Sequence, residues 1–398
     1  MAFKGVDYFC VDSLFHEQEL MVRQTARRFA EERILPLIRD CYRDARFPKE
    51  LIAEMAELGF LGANQEGYGC AGMNNVEYGL IMQELERADS GVRSFVSVQG
   101  ALVMYPIHRY GSEEQKQHWL PRLQSGQAIG CFGLTEPDFG SNPAGMRTTA
   151  RRDGDGWVLN GEKTWITNGT VADVSIVWAR ASGEPQQPIL GFLVERGTKG
   201  FASSDIHGKW SMRASVTSSL SLADCRVREC DRLAGAKGLK APLSCLSQAR
   251  YGIGWGVLGA AMDCYETARE YSILRKQFDD KPIAAHQLVQ KNLSDIVTAI
   301  TASRLMCHHA LALVDRGEPA DGAAAMAKRF AQNACRDAVF EAMNLLGAMG
   351  LATEARIEEL YRDVRMIPVP DGTNEILALI HGRELTGLEA FRGAPPPE

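Results

Sequence analysis

The chain is predicted to fold as an all-α N-terminal domain, an antiparallel β middle domain and a C-terminal four-helix-bundle domain. Apolar residues recur at helical spacing on both flanks, and between them lies a stretch of short β-rich runs split by turn residues. The order helices, strands, helices also excludes a doubly wound parallel sheet, which would alternate strand with helix. The domains are expected at 1–128, 129–240 and 241–393, followed by a tail over 394–398.

The N-terminal helical pattern starts near Leu14, where Val22, Ala26, Phe29 and Ala30 share one stripe. Pro48 suits a first helical turn and Gly59 a C-terminal cap. A second helix is expected over 75–89. From about Ile129 the runs 157–161, 174–179 and 189–194 read as strands. Asn160-Gly161 predicts a hairpin turn, and the set implies a sandwich or barrel ending near Arg228. Helical periodicity returns from about Ala241 to Phe391, with no proline between Pro242 and Pro282. The proline-rich end is expected to be a loose tail.

Composition narrows the function classes. The 398 residues are 45% hydrophobic and 24% charged, ordinary for a chain with a sizeable core. Lys and Arg total 44 against 50 Asp and Glu, a net charge of −6, so no diffuse basic surface calls for nucleic acid or anionic lipid. An anionic substrate would need a local basic pocket. Ten scattered cysteines without a C-x-x-C pair read as reduced thiols. Without an H-E-x-x-H motif no metal site is expected. The N-terminus lacks a basic segment leading into an apolar run, and no stretch approaches the ~18 apolar residues of a membrane span. Cytoplasmic localisation is expected, or the mitochondrial matrix in a eukaryote, without membrane insertion.

Two G-x-G-x-x-G matches, at Gly67, Gly69 and Gly72 and at Gly254, Gly256 and Gly259, raise the dinucleotide fingerprint. The first follows a capped helix instead of a buried strand. The second falls inside a helical run, where small residues permit close helix packing.

The candidate chemistry lies in two segments around the helix-to-sheet change. Residues 131–142 form a loop rich in hydroxyls and turn formers, the kind of junction that holds ligands. In 161–168, alternation places Trp165 and Thr167 on one side of a strand, an aromatic and a hydroxyl suited to a planar heterocycle. Together they resemble the acyl-CoA dehydrogenase flavoproteins. Further matches follow in order: Arg275-Lys276-Gln277-Phe278, His286-Gln287, and Asp371-Gly372-Thr373 leading to Gly382-Arg383. Within that family the glutaryl-CoA dehydrogenases are matched most specifically, through Asp89-Ser90-Gly91-x-Arg93-Ser94 and Ala249-Arg250-Tyr251-Gly252-Ile253.

The resemblance implies an FAD enzyme that removes an α-proton from an acyl-CoA thioester and passes a β-hydride to flavin N5. It implies that Phe132, Leu134, Thr135, Trp165 and Thr167 surround the flavin ring, with Thr373 also touching the cofactor. Arg275, Phe278, Gln287 and Gly347 would hold the rest of FAD, Arg275 and Gln287 across a subunit contact in a homotetramer. Ser141 would meet the pantetheine-phosphate portion of the substrate, and Arg250 is carried over as a further substrate contact. Arg93, Ser94 and Ser97 would bind the distal carboxylate of glutaryl-CoA or a similar dicarboxylyl-CoA, with Glu86 assisting. An electron-transfer flavoprotein is the implied acceptor.

Asp371 occupies the position of the catalytic base, where the family normally has glutamate; it is shorter by one methylene, roughly 1.5 Å of reach. Some relatives carry the base just before Arg250, where this chain has Ala249. The tyrosine that precedes the base in glutaryl-CoA dehydrogenases is Pro370 here, which leaves decarboxylation open. Met349 replaces an asparagine on the FAD side. Other readings stay open: dehydrogenation of a cyclic or carrier-protein-bound acyl thioester, or a catalytically impaired flavin-binding protein. Residue by residue, Arg93 could be an exposed helix arginine, Glu86 a solvated glutamate and Asp371-Gly372 a simple turn.

Overall fold

The computed structural model describes residues 3–390; the expected tail over 394–398 lies outside them. The first helical layer contains α1 (Glu17–Phe29), α2 (Leu35–Arg43), α3 (Ile52–Glu57), α4 (Asn75–Ala88), α5 (Ser90–Ser97), α6 (Tyr105–Tyr110) and α7 (Glu113–Gln124). Local chemistry fixes several starts. Asn74 accepts from the Glu77 N–H at 2.7 Å while Glu77 accepts from the Asn74 N–H, a reciprocal cap for α4. Asp89 accepts from the Val92 N–H at 2.8 Å and opens α5 directly after α4 ends. Gly59, at φ 74°, follows α3 in the left-handed conformation expected of a cap.

The middle sheet contains β1 (Gly130–Gly133), β2 (Thr149–Asp153), β3 (Gly156–Thr167), β4 (Val174–Ser182), β5 (Ile189–Glu195), β6 (Phe201–Asp205) and β7 (Thr217–Arg228). It is not wholly antiparallel: β4 pairs with β1 and with β2 in parallel, while the remaining pairings are antiparallel. The parallel partners are far apart in sequence, so no hairpin signal marks them.

Asn160-Gly161 is not the turn that was expected. It lies within β3 at a register shift opposite β7, and the β2–β3 hairpin instead closes from Asp153 to Gly156. Two contacts explain the motif. The Asn160 carboxamide bonds the side chain and backbone N–H of Asp224, and a Cβ at Gly161 would lie 2.7 Å from Thr148 Cα. The glycine serves strand proximity.

The second helical layer contains α8 (Lys240–Leu274), α9 (Gln287–Asp315), α10 (Asp321–Leu345), α11 (Ile357–Met366) and α12 (Asn374–Thr386). Helices α8, α9 and α10 pack on one another, and α12 lies on α10. One hydrophobic core runs without a break from Phe29 and Leu80 in the first layer to Val257 and Val339 in the second.

The expectation of no span-like stretch needs correction, since α9 is long and apolar enough to cross a membrane by length and composition. In this fold it is a bundle helix. Ile296, Ile300, Cys307 and Leu311 are buried, and Arg304 pairs with Asp7 and Asp12.

Neither glycine fingerprint binds through a strand–turn–helix unit. Gly67, Gly69 and Gly72 lie in the loop between α3 and α4. Gly256 and Gly259 form a seam on α8 against α4, where a Cβ would run into the Glu86 carboxylate and the Gln83 carbonyl respectively.

Candidate active site

Where the three layers meet lies a cavity of about 760 Å³. Its walls are the end of β1 (Phe132, Leu134, Thr135), the end of β3 (Trp165, Thr167), α5 (Arg93, Ser94, Ser97), α8 (Arg250) and the segment before α12 (Asp371, Thr373), with Ser141 at the rim. These sequence-nominated residues are therefore brought together. Glu86, Arg275, Phe278, Gln287 and Gly347 do not line it.

The sheet wall is built on a buried ion pair. Lys163 Nζ donates to Glu136 Oε1 at 2.9 Å and to the Leu134 carbonyl at 3.1 Å. Glu136 also accepts from the backbone N–H groups of Arg147 and Thr148. Burial pushes the Lys163 ammonium down to about 8, while Glu136 stays below the usual carboxylate range despite burial because Lys163 and these donors hold its charge. The pair fixes the Leu134–Glu136 turn, and the Thr164 N–H donates to the Thr135 carbonyl. At the adjoining register shift Trp165 takes φ 60° and remains 62% exposed beside the cavity. An uncovered indole flanked by Thr135 and Thr167 is a donor set and flat wall that fit the isoalloxazine of FAD.

The opposite wall carries charge. Arg93 is not a surface arginine: it is 2% exposed, and its Nε donates to Glu86 Oε2 at 2.6 Å. Glu86 is not solvated either. It stands behind Arg93, fully buried, and also accepts from Ser90 Oγ at 2.9 Å. Arg250 Nε donates to the Asp371 carbonyl at 2.8 Å.

Asp371 sits at φ 55° in the loop between α11 and α12. Aspartate is among the few residues that enter this left-handed region readily, so residue type and backbone agree here. Thr373 then caps α12, accepting from the Ile376 N–H at 3.3 Å. Burial raises the Asp371 carboxyl above its ordinary range, opposed by the charges of Lys328, Arg250 and Arg93. Among the described residues lining the cavity, Asp371 is the one carboxylate, and Ala249 is buried outside it. Arg93, Arg250 and Lys209 make the lining net cationic.

Two contributors escaped the sequence reading. Segment 208–215 covers one side of the cavity, pinned by Lys209 Nζ, which donates to the carbonyls of Met212 and Ser215 and to Thr217 Oγ1. Lys328 lies beneath the Asp371 loop. Its signal was a lysine on the buried alanine stripe of α10, with Ala324 and Ala331.

Arg275, Phe278 and Gln287 lie far from this cavity: along α8, Arg275 is about 38 Å beyond Arg250 at 1.5 Å per residue. All three are exposed, and the β-hairpin that starts after Arg275 carries Phe278. Gly347 is likewise outside the lining, beyond α10. No cluster of three His, Cys, Asp or Glu able to hold a metal lies among the described residues.

Comparison with known proteins agrees with this fold. The acyl-CoA dehydrogenase N-terminal, middle and C-terminal domain models match residues 16–127, 131–225 and 236–386. The structure of a glutaryl-CoA dehydrogenase from Mycobacterium smegmatis in complex with FADH2 superposes with a TM-score of 0.95 at 45% identity, covering 98% of this chain and 100% of that one. A chain from the electron transferring flavoprotein structure of Acidaminococcus fermentans gives a TM-score of 0.89 at 32% identity over 94% of this chain and 98% of that one. The mitochondrial short-chain specific acyl-CoA dehydrogenase of Mus musculus is 36% identical over 380 residues, 94% of this chain and 91% of its own. The chain belongs to the acyl-CoA dehydrogenase family of FAD-dependent oxidoreductases.

Proposed function

We propose that the protein dehydrogenates the α,β bond of glutaryl-CoA or a similar dicarboxylyl-CoA, with Asp371 as the base that takes the α-proton. The observation that carries this is Asp371 as the one carboxylate among the described cavity-lining residues. Its raised pKa suits the task, because a base in a dry site is a better proton acceptor than a solvated carboxylate. Among the described residues no acceptor takes the Asp371 backbone N–H, which leaves that donor for the thioester oxygen as charge develops there. Bound FAD supplies the acceptor for the β-hydride. Arg93 faces the cavity as the partner for a distal carboxylate, and Ser94 and Ser97 add hydroxyls on the same helix.

A second reading has its own support. Glu86 already pairs with Arg93, which favours a neutral acyl group. Anaerobic mixing of the FAD-loaded enzyme with a panel of acyl-CoAs separates the two. Bleaching of the flavin band by glutaryl-CoA is expected; bleaching by neutral acyl-CoAs alone would sink the dicarboxylate assignment. Product mass distinguishes glutaconyl-CoA from crotonyl-CoA.

We further propose an electron-transfer flavoprotein as acceptor and a homotetramer as the working form. Exposed Phe278, Leu288, Phe330 and Leu379 on the second helical layer support self-association. The distance of Arg275 and Gln287 from their own cavity fits service to a neighbouring subunit's FAD.

A further inference from the structure

Beneath Asp371 lies a buried lysine with no part in the reaction as described so far. Lys328 is 1% exposed. Its Nζ donates to the Pro370 carbonyl at 2.7 Å and the Gly372 carbonyl at 3.2 Å, while Arg250 takes the carbonyl between them. Three consecutive carbonyls are thus held by two cations from different helices. Burying an ammonium without a salt bridge is costly, and the described ion pairs include none to Lys328. The backbone it grips makes a left-handed turn at Asp371 and Gly372, at φ 55° and 96°.

We propose that Lys328 is the positioning residue of the base: it clamps the 370–372 loop so that Asp371 faces the cavity, and it supplies the cation on the α10 side of that carboxylate. The proposal rests on the reading of Asp371 as base. Other groups facing Asp371 are Arg250 from α8, Arg93 from α5 and Tyr78 from α4, with Asp321 and Tyr251 acting on Arg250. Burial pushes the Lys328 ammonium down to about 7, while the Asp371 charge works to hold its proton. The two groups are coupled across the clamp, and loss of the Lys328 charge must make Asp371 harder to ionise.

The test uses the FAD-loaded enzyme mixed anaerobically with glutaryl-CoA and with butyryl-CoA, reading the rate of flavin bleaching across pH. Lys328→Gln keeps neutral N–H donors but removes the charge; Lys328→Met removes both. The acid limb of the rate profile is expected to move up by about one pH unit in both variants. The plateau rate should fall about tenfold or more in Lys328→Met only, because the loop loses its clamp. Infrared titration of the protonated carboxyl band, assigned to Asp371 by its absence in Asp371→Asn, should show the same upward shift in Lys328→Gln without reference to turnover. If Lys328→Met fails to fold, Lys328→Gln decides through its acid limb and infrared midpoint. An unmoved limb, midpoint and plateau overturn the proposal. Full bleaching by Asp371→Asn would instead overturn the assignment of the base.

Discussion

Two buried lysines support the two walls of the cavity, and they are partnered differently. Lys163, under the sheet wall, meets a carboxylate and a carbonyl; Lys328, under the opposite wall, meets carbonyls alone. A lysine with its own counter-ion is a closed electrostatic unit and works as a prop. One whose nearest carboxylate influence is Asp371 is open, so its charge reaches the proposed base. The contrast sets a wall braced by a closed ion pair against a wall whose cation acts on the proposed base.

The largest expected effect tests which wall carries the chemistry. Asp371→Asn should slow flavin reduction by about 10²–10⁴-fold while bound FAD and its visible spectrum are retained; near-normal reduction would move the base elsewhere. Next comes the prop. Lys163→Met leaves Glu136 buried without its partner, which costs about 3–5 kcal/mol and should lower the melting temperature and the FAD content together. An unchanged melt would mean that the pair is not a structural unit.

Arg93→Met combined with Glu86→Gln, so that no charge is left unpaired, should raise KM for glutaryl-CoA by about 10–100-fold, the worth of one charged hydrogen bond. KM for butyryl-CoA should hardly change. Equal effects on both esters would place Arg93 outside acyl recognition.

The smallest effect lies away from both walls. Burial raises Asp89 to about 7 and, with the charge of Asp89, Asp363 to about 8. Asp363 accepts from Tyr42 Oη and the Met212 N–H, tying α11 to segment 208–215. Below the unfolded carboxylate pKa, folded and unfolded chains both hold these protons and the contribution is fully present. As pH rises through neutrality the unfolded chain has lost them and the folded one must follow, so stability falls. Asp363→Asn keeps the acceptor and should flatten this decline, stabilising at alkaline pH by about 1–2 kcal/mol. Parallel melting curves of variant and wild type across pH check it.

Much of this was legible in the sequence because it rests on local pattern. Helical spacing announces α4 and α8, Gly59 marks the end of α3, and the polar motifs at 131–142, 161–168 and 371–373 stand out from apolar runs. What stayed hidden depends on pairing at long range. Asn160-Gly161 carries a true hairpin composition, but Thr148 and Asp224 decide its shape. The parallel ladders of β4 join segments that share no turn. Lys328 looks like any helix lysine until its stripe is compared with its neighbours, and Glu86 is one glutamate among several until the α4–α8 seam folds over it.

That seam reaches further than packing. Because α8 presents no side chain at Gly256, the Glu86 carboxylate can occupy the space and hold Arg93 where it is. A single added methyl there would push on Glu86 and, through it, on the arginine facing the cavity. Laboratory selection for new acyl specificity that randomised only cavity-lining positions would therefore leave out a dial on the far side of the wall, one whose smallest setting is already in use.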